Sequence, residues 1–373
     1  MVRRVNAEVE RSLTRIADRE AEVQAWETVD AHALGDGFPI GVKDLIDTAH
    51  LPTTYGSPIY RGHRPARDAA CVAALKRAGH AILGKTVTTE FAVYSPGKTR
   101  NPHDPKRTPG GSSSGSAAAV ADGMVPAALG TQTAASIVRP ASFCGCIGWK
   151  PTYGVLSMEG IHPLAPSLDT LGFFLRDLDL VAPLYGALSG TALQAPRLKP
   201  RMAFSRTETW DKAEPSTRAA IGKFAAPYPE VNLSAGLVEA QIAIMGAEAA
   251  LSLAGEPQAQ LSAKLRAFLD AGRAVTPEQL RTAHERARRG REEIERIFEQ
   301  FDALITIAAA GEAPLGLDST GDPLHSRIWT LLGTPCVSLP LLKGPAGLPL
   351  GVQVVGPRGR DDLLLAAARE LIS

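Results

Sequence analysis

The chain has 373 residues, of which 45% are hydrophobic and 21% charged, the balance of an ordinary globular protein with a substantial core. A formal net charge of +1 gives no electrostatic reason to expect nucleic acid or an anionic membrane as partner. The first residues run straight into charges, so no secretory leader is expected, and no stretch reaches bilayer-spanning length. Four cysteines (Cys71, Cys144, Cys146 and Cys336) are too few for a disulfide scaffold and lack further ligands at metal spacing. They read as buried, inert thiols in a cytoplasmic protein.

In chain order, Val5, Val9, Leu13 and Ile16 recur at helical spacing and predict an amphipathic N-terminal helix within residues 1–30. Its apolar stripe can dock on the body or, in a homodimer, on a second copy of the chain. Phe38 to Ile46 predicts a buried strand carrying Lys43, Asp68 to Ala78 a helix, and Ala81 to Thr86 a second strand. This β–α–β alternation predicts an α/β fold in which helices surround a central mixed sheet. The prolines and charges of Tyr94 to Pro109 predict a loop, and alanine-rich Ser116 to Asp122 a helix that starts at a Gly-Ser turn. Ala127 to Gly130 leads as a short segment into a turn ending on Ser136. Gly148-Trp-Lys-Pro-Thr and Ser167-Leu-Asp-Thr read as further loops near the same centre. Residues 190–260 carry the weakest pattern and are taken as a variable insert within one domain spanning 1–373.

Beyond it, Thr276-Pro-Glu-Gln is a capping box opening a helix that runs to about Phe301. Arg286, Arg288, Arg289 and Arg291 on this helix could form an RNA-binding face, but interleaved Glu285, Glu292, Glu293 and Glu295 favour a self-compensated solvent surface. Two buried strands, Pro335 to Pro340 and Pro349 to Gly356, and a helix from Asp361 to Leu371 close the chain.

The chemistry concentrates in Gly110 to Pro140. Gly111-Ser-Ser-Ser-Gly115 fits the G-x-S-x-G nucleophile elbow with Ser113 at its centre, but the proline-rich Asn101 to Pro109 before it is not the strand that motif needs. A phosphate-binding loop fails because no Gly-Lys-Ser/Thr follows. Two other serines, Ser112 and Ser136, together with Lys43, allow acyl transfer without histidine. A serine hydroxyl needs a base within hydrogen-bond reach, and a lysine serves only when neutral. Lowering its pKa from about 10.4 toward 7 or 8 costs roughly 4 kcal/mol, which burial among Ile40, Val42, Leu45 and Ile46 can supply. His63, His103, His162 and His325 fall in loop-like contexts and read as surface or substrate-pocket residues.

Several motifs occur in one order. They are Gly37-x-Pro-x-Gly-Val-Lys-Asp44, the Gly-Ser turn, Gly130-Thr-x-Thr-x-x-Ser136, Cys144-Gly-x-x-Gly-x-Lys-Pro-Thr152 and Ser167-Leu-Asp-Thr170. Gly333-Thr-Pro-x-x-Ser-Leu-Pro340 and Gly347-Leu-Pro-x-Gly-Val-Gln-x-Val-Gly356 follow near the end. Together they resemble the amidase signature family over nearly the whole chain beyond the first helix, the middle third excepted. The resemblance implies Ser136 as nucleophile, Ser112 as bridging serine after a cis Gly111–Ser112 peptide, and Lys43 as base. It implies hydrolysis of a small amide to acid and ammonia through a seryl acyl-enzyme, with no metal or organic cofactor. The amides of Thr133, Ala134 and Ala135 would form the oxyanion hole, worth roughly 3 kcal/mol per donor.

Two departures from the family pattern bear on the site. Ala134-Ala135 replaces the usual glycine pair, and a positive φ there would cost an alanine about 1 kcal/mol. Gln132 replaces an aspartate, and an arginine stands three residues past the nucleophile, at Arg139, where the family commonly has one two past. That variant resembles the malonamidase-type branch, whose members act on small carboxylate-bearing amides. It makes Arg139 a substrate-carboxylate clamp or a brace for the loop against Asp169 or a backbone carbonyl, and puts Ser113 and Gln132 among substrate-binding candidates. Two other readings stay open: the amide-hydrolysing subunit of a tRNA-dependent amidotransferase, and a weak or inactive homologue acting as a binding protein.

Overall fold

The structure, a computed structural model, describes residues 6–373; Val5 lies outside them. Among the described residues eleven strands join one mixed sheet, in the order β1-β3-β2-β4-β6-β5-β10-β11-β9-β7-β8. They are β1 (Trp26–Val29), β2 (Pro39–Lys43), β3 (Ala81–Thr86), β4 (Ala127–Gln132), β5 (Ile147–Lys150) and β6 (Thr170–Leu175). The rest are β7 (Met202–Ser205), β8 (Glu230–Val231), β9 (Ala303–Ile307), β10 (Cys336–Lys343) and β11 (Pro349–Val355). β2 runs parallel to both β3 and β4, and β7 parallel to β8 and β9, while the other pairings are antiparallel.

The sheet is covered on both faces, and strand alternation sorts its side chains between two cores. Ile40 and Val42, Ile82, Ala127 and Leu129, and Leu171 and Phe173 enter the larger cluster. Ala81 and Leu83, Ala128 and Phe174 enter the second. The N-terminal helix α1 (Ala7–Val23) lays its stripe on that second cluster: Val9, Ile16 and Val23 pack with Ala117 to Val120 of α3 (Ser114–Ala121). The stripe therefore covers the body of the chain itself. Asn6 caps α1 by accepting from the amides of Glu8 and Val9.

The helix α2 (Ala70–Arg77) and β3 fall where the sequence places them, and Tyr94 to Pro109 is loop. Two expected loops do not. Gly148-Trp-Lys belongs to β5, held between β6 and β10, and Thr170 opens β6. Glycine and proline around these short runs resemble turn punctuation, yet ladder partners on both sides of β5 bury Trp149 completely. Beyond α4 (Val138–Cys144) and α5 (Val181–Ser189), the segment 190–260 is part of the frame: it supplies β7, α6 (Pro215–Ala225), β8 and α7 (Leu237–Ser252), and both strands lie at the end of the common sheet. α7 packs against α8 (Ala263–Arg273) and α9 (Pro277–Phe298). α9 opens on the predicted capping box, and its Arg288 pairs with Glu285 and Glu292 on the solvent face.

Gly115 shows why the Gly-Ser turn is built of small residues. A Cβ there would meet Ala25 O at 2.1 Å and Val87 N at 2.4 Å, both backbone atoms that cannot swing away. Gly115→Ala is expected to destabilise the protein by about 1 to 3 kcal/mol, read as a lower midpoint in urea unfolding. An unchanged midpoint would show that α3 can back off from β3.

Candidate active site

Lys43 is the last residue of β2, and its parity with Gly41 sends it away from the face of Ile40 and Val42. It emerges on the side where α3 and the preceding Gly-Ser turn lie. The parallel neighbour β4 ends beside it, in register Val42↔Leu129, so that Thr131 and the turn beyond Gln132 share the strands' carboxyl edge. Open sheets with parallel strands gather reactive groups at that edge.

The Lys43 amine is wholly buried and lies 2.7 Å from Ser112 Oγ and 2.7 Å from Thr131 Oγ1. Burial pushes its pKa down to about 7, with the Asp169 carboxylate opposing. A neutral amine donates to Thr131 and turns its lone pair toward the Ser112 hydroxyl, the orientation a base requires. The Gly111–Ser112 peptide is cis, as expected. Ser112 and Ser136 line one small cavity of about 30 Å³, and Ser136 Oγ forms no hydrogen bond within the described residues.

The turn from Thr133 to Ser136 is held by its carbonyls. Gln241 Nε2 donates to Thr133 O (2.9 Å), Thr330 Oγ1 to Ala134 O (2.7 Å) and the Arg139 amide to Ala135 O (3.0 Å). In a planar trans peptide the next residue's N–H points opposite each carbonyl. The amides of Ala134, Ala135 and Ser136 therefore face away from these anchors, and none of them donates within the described residues. Thr133 turns its hydroxyl to Asp169 (2.5 Å), which also accepts from the amides of Leu164 and Ala165. Neither Ala134 nor Ala135 has a positive φ, so alanine sits in this turn without the strain a left-handed conformation would impose.

The remaining predicted residues divide. Arg139 lines the cavity but directs Nη1 to Gly321 O (2.8 Å) and Nη2 to Gly111 O (2.6 Å) and Thr320 Oγ1 (3.1 Å); its buried Nε is unpartnered. Burial pushes its pKa down to about 10. It makes no ion pair with Asp169. Ser113 and Gln132 are fully buried away from the cavity wall. Ser113 Oγ donates to Thr131 O, and Gln132 accepts from the amides of Ile137 and Val138 while donating to Thr330. These contacts shape the turn from below, which corrects the expectation of direct substrate contact.

His325 likewise departs from expectation. It lies inside α10 (Leu324–Leu332), buried, with Nδ1 3.0 Å from Thr209 Oγ1, and burial pushes it down to about 4. All four cysteines are free and buried. Among the cavity residues that sequence missed is Arg327 of α10, a charge directly ahead of the apolar run Ile-Trp-Thr-Leu-Leu; that contrast was its signal.

The family model described as Amidase matches residues 3–227 and 231–365, and the chain belongs to the amidase family, whose members are amide-cleaving enzymes. A glutamyl-tRNA(Gln) amidotransferase subunit from Synechococcus sp. is 31% identical across 96% of this chain and 92% of its own length. A solved structure described as an inhibitor-bound vestigial protein complex revealing the origins of an s-triazine catabolic enzyme superposes with TM-score 0.88. It shares 27% identity and covers 98% of this chain and 94% of its own. The corresponding amidotransferase subunit from Thermotoga maritima superposes with TM-score 0.84 at 28% identity, over 97% and 90%. No described helix is long and apolar enough to cross a membrane.

Proposed function

We propose that the chain hydrolyses a small amide to acid and ammonia by way of an acyl group on Ser136. The observation that carries this is the buried Lys43 amine, 2.7 Å from the Ser112 hydroxyl, at a cavity where the Ser136 hydroxyl is unengaged. Ser136 Oγ attacks the amide carbonyl as its proton passes to Ser112, whose own proton passes to Lys43. The developing oxyanion is met by the amides expected for it, those of Thr133, Ala134 and Ala135, with the free amide of Ser136 beside them. Lys43 returns the proton through Ser112 to the leaving nitrogen, and the C–N bond breaks. Water, deprotonated along the same path, then releases the acid and frees Ser136. A carboxylate on the substrate is part of this reading, with the unpartnered Nε of Arg139 as one contact, and the setting is cytoplasmic.

A second reading draws on the amidotransferase subunits among the relatives: an amide-cleaving subunit that works only beside a partner protein. The purified chain, offered a panel of small primary amides including glutamine, is expected to release ammonia unaided. Release that appears only when a partner protein is added would favour the second reading.

A further inference from the structure

The catalytic cavity has room for little more than a water molecule, so an amide enters only if a wall moves. Two residues of that wall, Tyr94 and Arg327, also line a chamber of about 570 Å³ between α7, α8 and α9. Ala240, Ala243, Gly246, Phe268 and Ala283 give the chamber an apolar lining, and α7 approaches α8 at Gly246 and Gly272 closely enough that a Cβ on Gly272 would strike Gly246 O at 2.0 Å.

Arg327 is 5% exposed, yet every hydrogen-bond partner it has is neutral. Its Nη1 meets Gln241 Oε1, and Nη2 donates to the Tyr94 hydroxyl at 3.2 Å. No carboxylate lies within ion-pair distance of it among the described residues. The chamber's own acids are engaged elsewhere, Glu239 with Arg286 and Glu278 with Arg281. Arg139, the second arginine of the cavity, makes no direct ion pair among the described residues and keeps a buried Nε unsatisfied, but the Asp322 carboxylate acts on it from farther off. A buried cation without a counter-charge is costly unless a ligand supplies one. Arg327, whose hydrogen-bond partners are all uncharged, calls for an anion.

Of the two, Arg327 has the replaceable partner. The terminal nitrogens of Arg139 are committed to backbone carbonyls. The Tyr94 hydroxyl belongs to a loop residue that is 38% exposed and rests edge-on against Phe268 at 5.4 Å. We infer that Arg327 is the receptor for a carboxylate on the amide substrate, and that Tyr94 occupies this place until the substrate arrives. The carboxylate displaces the phenol from the guanidinium, joins the cavity to the chamber, and leaves the substrate's amide beside Ser136. Gln241 ties Arg327 to the carbonyl of Thr133, so the receptor and the turn that bears Ser136 are set by one side chain. This inference rests on the amide-hydrolysis reading and assigns the carboxylate of that reading to Arg327 as its principal contact.

The test measures binding with turnover removed. In a Ser136→Ala background, calorimetry compares succinamate, glutaramate and adipamate with the uncharged butyramide, pentanamide and hexanamide. At least one acid is expected to bind tenfold or more tighter than its neutral counterpart. Adding Arg327→Met should collapse that preference at least tenfold, Arg327→Lys should restore part of it, and Tyr94→Phe should retain or raise it. No preference for any acid, or equal weakening of acid and neutral ligands by Arg327→Met, overturns the assignment. Preferential binding of an acid by a chain whose Ser136 form hydrolyses none of these amides would leave the receptor standing and sink the hydrolytic reading instead.

Discussion

Ser136→Ala is expected to lower kcat by about 10⁴-fold or more while leaving stability within about 0.5 kcal/mol of the parent. The two halves of that statement have one structural cause. The Ser136 hydroxyl faces the cavity and holds nothing together, so its removal orphans no buried group. Ser112 is different: its hydroxyl is a partner of a buried amine, and Ser112→Ala would disturb Lys43 as well as the relay. A fluorophosphonate probe separates the candidate nucleophiles. It should label the parent at Ser136 and fail to label Ser136→Ala. A label on Ser113 would restore the nucleophile-elbow assignment, against a Ser113 side chain that is buried and bonded to Thr131 O.

The parts of the site that share a strand or a turn could be seen in the sequence. Lys43 in an apolar strand and Ser112 in a glycine turn each carry a local signature, and the order of motifs linked them to Ser136. The strands around Lys43 followed from the same residues, whereas the cis peptide was expected only through the family resemblance. What was not legible depends on contacts between distant segments. Gly148-Trp-Lys looks like a turn until β6 and β10 flank it. Gln132 resembles a substrate contact by position, yet its amide is spent on Ile137, Val138 and Thr330. Arg327 gains its place only because α7, α10 and the loop at Tyr94 meet, and no spacing within α10 specifies that meeting.

Lys43→Met is expected to cost about 10² to 10⁴ in kcat/KM and, at the same time, to change how stability varies with pH. A lysine in the unfolded chain titrates near 10.4, while burial holds this one at about 7. Between those values the unfolded state binds more protons than the folded one, so lysine makes the parent gain stability as pH rises, by about 1.4 kcal/mol per pH unit. Below about pH 7 both states carry the proton and the slope disappears. Its full effect, about 4 to 5 kcal/mol, is a penalty on the folded state present at low pH and relieved by about pH 10. Methionine removes the titration, so the unfolding free energy of the parent minus that of Lys43→Met, measured in urea from pH 7.5 to 9.5, should climb with pH. Groups common to both proteins cancel in that difference. In the parent, kcat/KM should rise through pH 7 as the amine loses its proton and then level off. A stability difference that stays flat with pH would mean that the folded protein keeps Lys43 charged, and a charged amine has no lone pair with which to accept the proton from Ser112.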